Sequence, residues 1–170
     1  MMKKNFTALY ILLVVAQMLL TNYFHLTPYI MLTILPVIVL CIPTRVSTTA
    51  CLFIAFATGL AVDLFAEGTL GLNTLALTPV AFARRGLCNA VFGPELKTRG
   101  EEFSFRKYGP VKVIFAITVV HALFLLVYIA ADIAFARPLL FCLERFGASL
   151  LAGVLLSIPV ADILTPDDRR

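Results

Sequence analysis

The stretch GLAVDLFAEGTLGLNTL, Gly59 to Leu75, decides how this chain is read. An apolar segment runs into it, carries Asp63 near its end, turns at Glu67-Gly68 and leaves through Gly71 into a second apolar segment. A carboxylate at the centre of a lipid-embedded helix costs roughly 2.5–3.5 kcal/mol on insertion scales, so the fold has to offset it. Cys51, Ala55, Gly59 and Asp63 recur every four residues, with Ala57 and Ala61 beside them. A stripe of small residues lets two helices approach closely in lipid. The spacing predicts a helical hairpin in which Asp63 accepts hydrogen bonds from backbone N–H groups around Gly68–Gly71. The next helix begins there, and its dipole favours an anion.

The rest of the chain is as apolar as this hairpin. Its 170 residues are 61% apolar and 14% charged, with a mean hydropathy of +0.96. Soluble domains run near 45–50% apolar and about 25% charged. The composition is that of an integral membrane protein, and the length allows a single bundle with no second domain. The net charge of +4 reports membrane topology, not nucleic-acid affinity. Cys41, Cys51, Cys88 and Cys142 are scattered, with no CxxC and no companion histidines. They imply neither a metal site nor a disulfide framework, and are expected to act as packing residues.

A membrane span needs about 20 mostly apolar residues. Segments at 6–20, 29–42, 49–66, 70–83, 111–135 and 147–164 satisfy or approach this, giving an all-α bundle of about six transmembrane helices. The first follows a short basic start without an A-x-A cleavage pattern, so it reads as an uncleaved span. The second is short, and Pro36 is expected to kink its middle. The polar stretch at 84–110 forms the one long loop.

Six spans put both termini on one side. If that side is cytoplasmic, it holds Lys3, Lys4, Arg45, Arg84, Arg85, Lys97, Arg99, Arg106, Lys107, Lys112, Arg169 and Arg170, leaving Arg137 and Arg145 outside. Twelve of 14 basic residues then obey the positive-inside rule. Asp63, Glu67, Gly68 and Gly71 fall near the outer boundary, as does Asp132, with His121 at mid-membrane. The cytoplasmic loop combines basic residues (Arg84, Arg85, Lys97, Arg99, Arg106, Lys107) with Phe92, Phe103, Phe105 and Tyr108. That mixture suits anionic headgroups, at about 1 kcal/mol per basic residue, or docking of a cytoplasmic protein.

A catalytic constellation is not visible. Asp63 and Asp132 lack the polar neighbours that let two acids share a proton and a water, as an intramembrane aspartyl protease requires. A lone histidine such as His121 on an apolar helix is more often a satisfied core residue than part of a proton path. There is no Ser/His/Asp grouping, P-loop or metal-ligand spacing, and no cofactor is expected.

The residues Gly59-x-x-x-Asp63-Leu64, followed by Gly68-Thr69-Leu70-Gly71-Leu72 and Leu75, resemble the signature of the MreD family of rod shape-determining membrane proteins. The polar break at Pro43-Thr44-Arg45 and Arg137-Pro138 before a last span with Gly153 and Pro159 fit the same outline. Glu67 departs from the family, which often has a small residue there, and the cytoplasmic loop is longer than expected. The resemblance implies a non-enzymatic role in the cell-wall elongation machinery of the bacterial inner membrane. Its implied partners are MreC, the RodA glycosyltransferase and its transpeptidase, with MreB reached through the cytoplasmic loop. On this reading Gly59, Asp63, Glu67, Gly68, Gly71 and Asp132 form a structural motif or partner contact. MreD is also similar in fold to substrate-binding subunits of energy-coupling-factor vitamin transporters, which are the alternative. Those subunits usually carry A-x-x-x-A on the first span, whereas here Ala57 and Ala61 lie on the third.

Overall fold

Six helices follow one another among the residues described by the computed structural model, 6–23, 30–93, 108–133 and 138–164 (side chains of Glu67, Ile133 and Leu139 excepted). They are α1 (Phe6–Tyr23), α2 (Leu35–Leu40), α3 (Thr48–Val62), α4 (Leu72–Phe92), α5 (Pro110–Ile133) and α6 (Leu139–Leu164), with a π-helical turn, Asp63–Glu67, closing α3. Ser47 starts α3 as its N-cap, its side chain accepting from Ala50 N at 3.2 Å, the position at which a hydroxyl satisfies an orphan donor of the first turn. The π turn ends on Gly68, whose N–H reaches the Asp63 carbonyl at 3.0 Å and whose φ of 68° is left-handed, where glycine is cheapest.

α3 and α4 form the predicted hairpin. Gly59 lies against Thr74 and Thr48 against Arg85, so the two helices are antiparallel. A Cβ on Gly59 would stand 2.6 Å from Thr74 Cα, so the backbones meet where the stripe is smallest. Cys51, Ala55 and Gly59 are all buried; the stripe is used inside the chain. α5 and α6 are also antiparallel, linked by Asp132 to Arg145 at one end and His121 to Ser157 further along.

Many large apolar side chains point outward. Phe53, Phe65 and Phe82 are 71%, 73% and 70% exposed, while Gln17, Asp63 and His121 are buried. This is the arrangement a lipid solvent selects, because polar groups there must find partners inside the protein. Four helices are long and apolar enough to cross a membrane: Phe6–Tyr23, Thr48–Ala66, Pro110–Asp132 and Leu140–Leu164.

The remaining two expected spans have a different form. α4 has 21 residues but carries Asn73, Arg84 and Arg85. It runs on to Phe92, so both arginines are helical and do not open the loop expected from residue 84. The segment expected as a kinked helix at 29–42 has no regular secondary structure over residues 31–34 and is helical only over the six residues of α2, every one of them buried. Pro36 lies in the first turn of α2, where its missing N–H removes no helical hydrogen bond, so the helix starts at the proline and is not bent by it. α6 begins at Leu139, ahead of the expected 147.

The Gly59 contact gives a paired prediction. Gly59→Ala forces a methyl into the Thr74 backbone and should cost about 1–3 kcal/mol, the usual penalty for overpacking. Gly86→Ala, on the exposed side of α4 with nothing within 4 Å, should gain about 0.5–1 kcal/mol from helix propensity. Thermal melts of the two variants in the same detergent should move in opposite directions.

Candidate functional site

The carboxylate of Asp63 is fully buried and accepts five hydrogen bonds. Oδ1 accepts from Asn73 N at 2.9 Å and Asn73 Nδ2 at 3.0 Å. Oδ2 accepts from Gly71 N at 3.0 Å, Thr74 N at 3.1 Å and Thr74 Oγ1 at 2.7 Å. Gly71 is the N-cap of α4 and has no side chain to cap with; its φ of 102° is left-handed. Asp63 supplies that cap from the preceding helix, taking the N–H groups of the second and third helical residues as an N-cap side chain does. Hydrogen bonds to an ionised acceptor are roughly twice as strong as neutral ones, and the positive end of the α4 dipole adds to them. These five bonds occupy the carboxylate's acceptor directions, leaving it suited to holding structure and unsuited to proton transfer.

The other residues of the motif have separate surroundings. Gly68 and Gly71 supply the two left-handed turns of the hairpin. Glu67 closes the π turn, with its side chain outside the described residues. Asp132 stands apart from Asp63 in its bonding: its Oδ2 meets Arg145 Nη1 at 2.6 Å in a partly exposed ion pair joining α5 to α6. Such a pair is worth at most about 1 kcal/mol. Lys97, Arg99, Arg106 and Lys107 lie outside the described residues. Arg84 and Arg85, grouped with them in the sequence, separate by helix geometry: about 100° apart on α4, Arg84 is buried and Arg85 exposed.

A second polar system, of which the sequence reading anticipates only His121 as a satisfied core residue, surrounds residues 31–42. Gln17 donates from Nε2 to Leu32 O at 3.2 Å and accepts at Oε1 from Ile34 N at 2.8 Å. Ser149 Oγ accepts from Met31 N at 2.9 Å. His121 places Nδ1 3.0 Å from Ile117 O and Nε2 3.3 Å from Thr33 O, with Ser157 Oγ 3.0 Å from the same Nε2. Arg84 donates from Nε to Leu40 O at 3.0 Å and from Nη2 to Ile42 O. Gly153 makes the space: a Cβ there would lie 2.9 Å from His121 Cδ2. The sequence holds one sign of this system, since Ser149, Gly153 and Ser157 fall every four residues on one face of α6. Among the described residues no group of three or more His, Cys, Asp or Glu could hold a metal ion.

Comparison of the chain with protein-family models, curated proteins and solved structures returns no match.

The Asp63 cap predicts a specific mutational pattern. Asp63→Ala leaves five donors, four of them buried, without their acceptor and should cost about 3 kcal/mol or more, since each buried group left unpaired costs about 1–3 kcal/mol. Asp63→Asn keeps one acceptor oxygen but turns an NH₂ toward other donors, so it should recover only part of the loss. A melt of Asp63→Ala in detergent equal to that of the wild type would contradict the cap.

Proposed function

We propose that this protein is a non-enzymatic membrane scaffold of the MreD type, acting in cell-wall elongation and the maintenance of rod shape through partner binding. The observation that supports it best is the use made of the Gly59–Leu75 motif. Its Asp63 is committed to capping α4 and its Gly59 to packing α3 against α4, so these residues build a rigid hairpin. A scaffold needs such rigidity. The interior, filled by residues 34–42, every one of them buried, suits a scaffold better than an outward-opening vitamin pocket.

In this reading the chain crosses the inner membrane six times with both termini cytoplasmic. The four apolar helices and α4 make five crossings, and residues 30–42 make the sixth. The positive-inside rule sets the orientation. Partner spans meet the outward faces, including Ala57 and Ala61 on α3, which point away from the small-residue stripe.

Affinity purification from membranes in mild detergent, followed by mass spectrometry, tests the proposal. It should recover an MreC-type coiled-coil protein with RodA and its transpeptidase, and depletion should turn rod cells round. Recovery of transporter ATPases, with cell shape unaltered, would favour the vitamin-transporter alternative.

A further inference from the structure

At the start of α3 the chain forms a partly open cavity of about 240 Å³. It is lined by three arginines, Arg45, Arg84 and Arg85, together with Ser47, Thr48 and Asn89, and among the described residues no carboxylate lines it. The arginines come from two places in the chain: Arg45 from the link between α2 and α3, and Arg84 and Arg85 from α4. Their convergence is therefore a product of the fold.

Arg84 makes the cavity unusual. Its side chain is buried, at 6% exposure, and its bonds to Leu40 O and Ile42 O fix its position without cancelling its charge. Burying a cation against neutral acceptors leaves much of the desolvation cost standing. Arg85 donates from Nη1 to Thr48 Oγ1 at 3.3 Å, which holds a second guanidinium at the cavity with a neutral partner. A guanidinium carries five N–H donors in a planar fork that matches phosphate oxygens. The hydroxyls of Ser47 and Thr48 and the amide of Asn89 complete a donor-rich lining.

We propose that this cavity binds a phosphate group, presented either by a phospholipid headgroup or by a free phosphate ion. Size and position both fit. The cavity falls below the roughly 300–1,000 Å³ of pockets for drug-sized ligands, so it suits a headgroup and not a larger metabolite. Thr48, on its wall, is the first residue of the apolar helix Thr48–Ala66, which places the cavity at the end of a span, the level of lipid phosphates.

The full-length protein, purified in a neutral detergent, provides the test through its thermal melt followed by a thiol-reactive dye, since Cys41, Cys51 and Cys88 are buried. Four additions are compared at matched ionic strength: phosphatidylglycerol, diacylglycerol, sodium phosphate and sodium chloride. A saturable upward shift with phosphatidylglycerol but not diacylglycerol assigns the site to a lipid headgroup. A saturable shift with sodium phosphate beyond that of chloride, competing with the lipid, assigns it to the free ion. Either result supports the site if Arg45→Gln/Arg85→Gln weakens the apparent affinity by about tenfold or more, as loss of charge-assisted bonds requires, while Lys112→Gln does not. These variants spare Arg84, which holds backbone carbonyls. No shift beyond diacylglycerol and chloride, or a shift that the double variant leaves unchanged, would overturn the proposal.

Discussion

Backbone that leaves helical geometry in an apolar interior must find partners for its N–H and C=O groups, because water is not there to provide them. Residues 31–42 meet that constraint by taking side chains from four surrounding helices: Gln17 of α1, Arg84 of α4, His121 of α5 and Ser149 of α6. Each bond satisfies a group whose burial unpaired costs about 1–3 kcal/mol. The same bonds fix where the four helices stand. The central segment is thus a template as well as a filling, and α3 is added to it through α4.

The Asp63 cap solves the same problem at a helix end. α4 begins at a glycine, which gives the turn its left-handed geometry but has no side chain for the orphan N–H groups of the first turn. A carboxylate on the preceding helix meets them. Gly59 lets α3 come close enough for this, with its missing Cβ over the Thr74 backbone. Shape and charge therefore depend on each other: a bulkier residue at 59 would push Asp63 from its donors, and a neutral residue at 63 would leave the close approach without its polar anchor. That interdependence explains why small residues and an acid occur together over four-residue spacings.

The hairpin was legible in the sequence because its parts lie within about fifteen residues of one another, and helical spacing alone puts Gly59 and Asp63 on one face. The central segment was not. Met31 bonds to a residue 118 positions away and Thr33 to one 88 away, and no local pattern announces such pairings. Pro36 in the middle of a short apolar run suggests a kinked helix, whereas it lies in the first turn of one and the residues before it have no regular secondary structure. Arg84 and Arg85 suggest loop in the sequence because two adjacent cations look polar as a pair. On a helix they point in different directions, and the carbonyls that hold Arg84 lie more than forty residues earlier. Gln17 is a single polar residue in a greasy span, and in lipid a lone amide is a sign of an interior partner.

Hydrogen–deuterium exchange across residues 31–42 in detergent or nanodiscs tests this account most directly, by comparing the wild type with Gln17→Leu. The wild type should protect Met31–Ile42 as strongly as the core of α5, Val113–Leu125. Gln17→Leu should speed exchange in the segment by at least about tenfold, a loss of about 1.4 kcal/mol of local stability, and leave Val113–Leu125 slow. Exchange of Met31–Ile42 in the wild type at the rate of a solvated loop, or identical protection in the variant, would contradict the claim that side chains of the bundle hold this segment in place.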